Sequence, residues 1–225
     1  MSPMFRLLLA STALFLMILL AGCGGGGGGS SVESGSLPTA SSYWPLRVGN
    51  VWQYELRTAQ VTAAEVPPAD RTTHRIVGTE VLANKEWFQD QVVSWHSSAG
   101  VSDPNATTTT VLLRETTAGV YYYDELTGAG LPFVDKAATV GGHWPAPASL
   151  PYTWDLLDIN ASITVPANTY TGCWRIVMHV PQTGAADQLW ERWFKQGVGL
   201  ILERYWADAT TPIDDMDLLS STVGG

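Results

Sequence analysis

Two cysteines, four histidines and a few clusters of carboxylates and hydroxyls are the places where this 225-residue chain could do chemistry. The histidines, His74, His96, His143 and His179, stand singly. A zinc site would have to be assembled from distant strands, because no two imidazoles have the spacing of a helix face or a hairpin. Asp214-Asp215-Met216-Asp217 offers the clustered carboxylates that a hard cation wants. The glycine and the closing glutamate of a calcium loop are absent, so a solvated acidic run is the simpler reading. Ser97-Ser98-Ala99-Gly100 follows His96 without the flanking glycines of a nucleophile elbow. Glu86, Asp90 and Glu191 could pair for acid–base work only in a geometry that sequence does not hold. No metal and no cofactor is implied, and the expectation is a protein that is not an enzyme.

The thiols differ in kind. Cys23 follows Leu20-Ala21-Gly22, and before it Arg6 precedes an uncharged, mostly apolar stretch over 7–21. A short basic start, an apolar run too short for a comfortable membrane span and small residues before a cut site describe an export signal. Leu20-Ala21-Gly22-Cys23 resembles the lipobox of bacterial lipoproteins. That resemblance implies a thioether-linked diacylglycerol on Cys23, further acylation such as palmitate, and cleavage that leaves Cys23 as the new N-terminus. Gly24, rather than aspartate, follows it, which by the same analogy implies outer-membrane sorting. Cys173 lies in Thr-Gly-Cys-Trp-Arg-Ile-Val-Met, a strand-like stretch, and a lipidated Cys23 cannot be its disulfide partner. A buried structural thiol is the expectation there.

Charge narrows the partners. Asp and Glu total 21 against 12 Lys and Arg. Such a balance argues against nucleic acid and against a basic membrane patch, so acyl chains must supply the membrane attachment, at about 0.8 kcal/mol per buried methylene. Residues 1–22 read as the signal, 23–42 as a lipidated Gly/Ser-rich tether, and 43–225 as a single antiparallel β domain.

Within 43–225, short β-type runs alternate with turn signals. They cover 51–57, 75–82, 86–95, 107–115, 120–124, 152–165, 173–180, 189–195, 198–206 and 213–223, roughly nine to eleven strands joined by connections too short for crossover helices. A sheet this large must curl or split, so the expectation is all-β: a large antiparallel curved sheet, half-barrel or barrel, with a β-sandwich as the alternative. Val48-Gly49-Asn50-Val51-Trp52 is echoed by Val140-Gly141-Gly142-His143-Trp144. Either a half-domain is duplicated or a glycine turn before a packing tryptophan recurs.

Tyr43-Trp44-Pro45-Leu46-Arg47-Val48-Gly49-Asn50-Val51-Trp52, then Ile163-Thr164-Val165-Pro166-Ala167-Asn168-Thr169-Tyr170, then Lys195-Gln196-Gly197-Val198-Gly199-Leu200-Ile201 resemble, in this order, a group of uncharacterised bacterial lipoproteins with one envelope β domain. The resemblance implies a fold and no catalytic residues. Ten tryptophans and eight tyrosines exceed what one core needs. If some line a cavity, the inward candidates are Trp52, Tyr54, Trp95, Tyr122, Trp154 and Trp193. The leading expectation is a membrane-anchored lipoprotein with a non-enzymatic binding or structural role, its partner an envelope protein or an apolar ligand. A periplasmic carrier or chaperone of lipid-like cargo comes second, and an envelope hydrolase third.

Overall fold

A computed structural model describes residues 32–35, 39–58, 71–95, 97–98, 101–102, 107–125, 127–145 and 151–224. The export signal and Cys23 therefore lie outside the described residues, as do His96 and the glycine run at 24–29. Among the described residues there is no α-helix, only a 3-10 turn at Thr39–Ser41.

The first strands are β1 (Val51–Thr58), β2 (Arg71–Leu82), β3 (Lys85–Trp95), the short pair β4 (Ser97–Ser98) and β5 (Val101–Ser102), then β6 (Thr107–Glu115), β7 (Gly119–Asp124) and β8 (Ala129–Asp135). They are followed by β9 (His143–Pro145), β10 (Thr153–Val165), β11 (Asn168–Val180), β12 (Gln188–Lys195), β13 (Gly199–Trp206) and β14 (Pro212–Thr222). All but β4 and β5 join one 12-stranded sheet in the order β8-β7-β6-β3-β2-β1-β14-β13-β12-β11-β10-β9, and every pairing is antiparallel. The sheet is a nearly closed barrel rather than a sandwich. One long-range joint, β1 with β14, brings the first and last strands together.

Local sequence accounts for much of this path. Ala83 and Asn84 both take positive φ, 50° and 60°, as a two-residue hairpin of the primed kind requires between β2 and β3. The barrel stays unzipped between β8 and β9, and each of these edge strands carries a proline, Pro132 and Pro145, which has no N–H to offer a neighbour. These strands, and the β4–β5 excursion, are absent from the sequence-based list. Ala129-Gly130-Leu131-Pro132 reads as a turn, and β9 is three residues long.

The echoed pentapeptides are structurally equivalent. Gly49 N donates to Ile76 O at 2.9 Å and Ile76 N returns to Asn50 O at 3.0 Å; Gly141 N donates to Leu156 O at 2.8 Å and Leu156 N returns to Gly142 O at 3.1 Å. Trp52 then pairs with His74, and Trp144 with Trp154. The barrel is thus two six-stranded meanders, β1-β2-β3-β6-β7-β8 and β9 to β14, each launched by the same glycine turn.

Strand direction places the starts of β1, β3, β7, β9, β11 and β13 at one end, here the near end. Val32–Gly35, assigned to the tether from sequence, are packed there. Glu33 bridges to Lys85 in parallel, Glu33 N donating to Asn84 O and Glu86 N to Glu33 O, and Glu115 N donates to Gly35 O at 2.8 Å. The segment wedges between β3 and β6 where these two strands part, and Arg114 Nη2 pairs with Glu33 Oε1 at 2.5 Å. The Arg114 guanidinium, by hydrogen bond and charge, holds the Glu33 carboxyl below its ordinary range.

Candidate functional site

The barrel axis is occupied. Trp44, 6 % exposed, lies against Trp52 of β1, His74 of β2, Phe133 of β8 and Phe194 of β12, with ring centroids 5.8 to 6.2 Å apart. Rings from strands on opposite sides of the sheet converge on this one indole, so the segment leading into β1 fills the interior. Glu115, at the end of β6 and fully buried, holds it there. Its carboxylate accepts from Ser42 Oγ, from Tyr43 N at 2.7 Å and from Trp44 N at 3.0 Å, and it is ion-paired with Lys136 Nζ at 2.7 Å.

Two further ion pairs lie in the interior, while Trp44 Nε1, Trp144 Nε1 and Asp90 Oδ1 are buried with no hydrogen-bond partner. His74 Nδ1 meets Asp90 Oδ2 at 2.7 Å. Burial disfavours the imidazolium, but the charge and hydrogen bond of Asp90, with Glu203 adding and Arg192 opposing, carry its pKa above the ordinary value. Arg192 pairs with Glu203 at 2.5 Å and lies over the Phe133 and Trp154 rings.

The aromatic residues singled out from sequence divide accordingly. Trp52 and Tyr54 are fully buried and tied down, the Trp52 indole N–H to Val198 O at 2.6 Å and the Tyr54 hydroxyl to Leu200 O at 3.1 Å. Trp154 stacks on Trp144 at 6.4 Å, and Tyr122 is half-buried beside Phe133. These four contribute to a packed interior. Trp193 is partly buried against the core cluster; Phe194 takes the axial side of β12, and the Trp193 Nε1 on the outer side donates to Glu191 Oε1 at 2.9 Å. The Trp95 side chain lies outside the described set.

That outer face holds the candidate site, a groove of about 250 Å³ across β10 to β13 near the far end. Period-2 alternation sends Asp155 and Leu157, Arg175, Val177 and His179, Leu189 and Glu191, and Trp206 to the same side. Glu191 is its organising residue. Although it is on the outside of the sheet it is 2 % exposed, covered by Arg175 Nε at 2.5 Å, Trp193 Nε1 and Trp206 Nε1 at 3.2 Å. One buried carboxylate thereby fixes two indoles and a guanidinium. Arg204, bidentate to Asp215 at 2.6 and 3.0 Å, packs over the Trp206 ring. The accessible polar groups are Arg175, His179 and Asp155, the last two 3.0 Å apart, above a floor of Leu157, Val177 and Leu189. A polar rim over an apolar floor with a fixed aromatic ring suits a ligand with one polar and one apolar face.

Sequence reasoning missed this groove because Leu189, Glu191 and Trp193 are as mixed as Trp190, Arg192 and Phe194, so alternation in β12 does not say which side is in. Of the other sequence candidates among the described residues, His74 and Asp90 pair in the interior and His179 joins Glu191 in the groove. Asp214 to Asp217 alternate across β14, with Asp215 engaged by Arg204. Cys173 is fully buried, and burial pushes its thiol pKa up, as a structural thiol's would be.

The chain is thus defined as a two-fold repeated, nearly closed antiparallel barrel with a filled axis. No family model and no curated protein matches its sequence. Among solved structures it is similar to a protein of Bacteroides fragilis described as exported with a YmcC-like fold, at TM-score 0.54 and 8 % identity over 80 % of this chain and 98 % of that one. It is also similar to a protein of Parabacteroides distasonis described as a lipoprotein, at TM-score 0.50 and 12 % identity over 81 % and 99 %. At these identities the likeness is one of fold.

Proposed function

We propose that this chain is an exported envelope lipoprotein, anchored in the outer membrane through acylated Cys23, with a non-enzymatic role: its barrel is a rigid body that binds an envelope partner through the outer groove of β10 to β13. The observation that carries the reading is the filled axis. A carrier of lipid-like cargo needs interior volume, and here Trp44 and the rings around it occupy that space. The Leu-Ala-Gly-Cys sequence and the exported and lipoprotein descriptions of the two similar structures support the address.

Metabolic labelling with palmitate in a bacterial host tests the anchor. The wild-type chain takes up label and sediments with membranes, whereas Cys23→Ser does neither; unlabelled wild-type protein overturns the assignment. Tryptophan emission titrated with fatty acids and phospholipids tests the role. A flat response is expected, and a saturable shift restores the carrier reading.

A further inference from the structure

The four most exposed large apolar side chains among the described residues are Val32, Val48, Val81 and Val140, each 50 to 55 % exposed. All four belong to the near end. Val48 and Val140 occupy the same position in the two glycine turns that launch the repeats, Val81 precedes the β2–β3 turn, and Val32 adjoins the wedge between β3 and β6. Exposed valines at equivalent turns are not explained by packing.

The chain's lysines share that end: Lys85 starts β3, Lys136 follows β8 and Lys195 finishes β12. Of its acids, Glu33 is engaged by Arg114, Glu86 by Gly35 N and Glu115 by Lys136, with Glu80 and Asp135 balancing the remaining cations. On a body of net charge −9 this is the end least repelled by anionic headgroups.

Covalent length adds an independent constraint. Eight residues separate Cys23 from Val32. Fully extended, nine Cα steps span at most about 30 Å. The twelve residues of β2 run about 40 Å along the strand and, tilted at about 40°, give a barrel about 30 Å tall. Bringing the far end to the bilayer would stretch this leash taut along the whole barrel; seating the near end requires no stretch.

We infer that the near end of the barrel is a lipid-facing surface, with Val32, Val48, Val81 and Val140 at the bilayer interface and the outer groove held toward the side away from it. The inference rests on the acyl anchor proposed above.

Depth-dependent quenching of the acylated full-length protein in phosphatidylethanolamine/phosphatidylglycerol vesicles tests it. Val48→Cys, Val140→Cys and, at the far end, Ala209→Cys are each made in a Cys173→Ala background and labelled with an environment-sensitive dye. Doxyl lipids should quench the dyes at 48 and 140 at least threefold more than the dye at 209. Vesicle co-flotation separates the two readings. Protein that fails to float removes the anchor and this inference with it, whereas protein that floats with equal or reversed quenching overturns the inference alone.

Discussion

Replacing Glu115 by glutamine keeps the side chain's shape and removes only its charge, so it tests directly whether this carboxylate holds the axial plug. In the wild type the carboxylate meets four donors: Ser42 Oγ, Tyr43 N, Trp44 N and Lys136 Nζ. A glutamine oxygen satisfies at most two of them, and its NH2 then confronts the others. The Lys136 ammonium, 14 % exposed, keeps only its bond to Thr116 O at 2.8 Å. Breaking one partner of a buried pair costs about 3–5 kcal/mol. At about 2–4 °C per kcal/mol for a chain of this size, Tm should fall by roughly 6–20 °C. Near-UV circular dichroism, dominated by the Trp44 cluster, should report the transition. Glu115→Gln combined with Lys136→Met removes the orphaned cation and should recover about 1–3 kcal/mol relative to the single variant, the usual size of coupling within one network. A single variant within about 2 °C of wild type, or a double variant no more stable than the single, would refute the assignment of Glu115 as the residue that seats Trp44.

Three further outcomes follow from the same geometry. Trp44→Ala should cost about 3–5 kcal/mol through the axial void it leaves, and should permit an apolar probe such as anilinonaphthalene sulfonate to bind where the wild type excludes it. Because the pKa of His74 is raised on folding, its contribution is complete below the ordinary imidazole value near 6.5 and is lost as pH rises through the folded value. Urea midpoints measured on the alkaline side of 6.5 should therefore decline, and His74→Asn should flatten that decline. Glu191→Gln should free the indoles of Trp193 and Trp206, seen as increased iodide quenching, with a smaller loss of stability than Glu115→Gln because its cation, Arg175, is 39 % exposed and regains water.

How much of this was legible beforehand follows the range of the interactions. The β2–β3 hairpin is written in Ala83-Asn84 and the alternation around it, and the strand character of Gln188–Lys195 in the glycines at 197 and 199 that follow. Barrel against sandwich was not legible, because the decision rests on β1 meeting β14 across most of the chain. Glu115 carries no local signal at all. Two of its partners, Tyr43 and Trp44, lie 72 and 71 residues away, and nothing in Leu-Leu-Arg-Glu-Thr-Thr marks that carboxylate as buried. Val32–Gly35 look like linker by composition, yet are held through the backbone groups of β3 and β6, which composition does not report.

The repeat explains why the plug is single. Counting eight residues back from Trp52 and from Trp144 gives Trp44 and Lys136, the corresponding positions of the two lead-in segments. The strand registers equally match Leu113 with Phe194, since Phe88 pairs with the one and Trp174 with the other, and so match Glu115 with Gln196. Both of those positions hold the backbone of the first segment. Glu115 accepts from Tyr43 N and Trp44 N, while Gln196 Nε2 donates to Ser41 O and Gly197 N to Ser42 O. A two-fold barrel has one axis, and a second indole entering from residue 136 would compete with Trp44 for the space between Phe133 and Phe194. The second segment instead contributes a cation that neutralises the carboxylate holding the first. Asymmetry at the axis is therefore a packing consequence of symmetry in the strands.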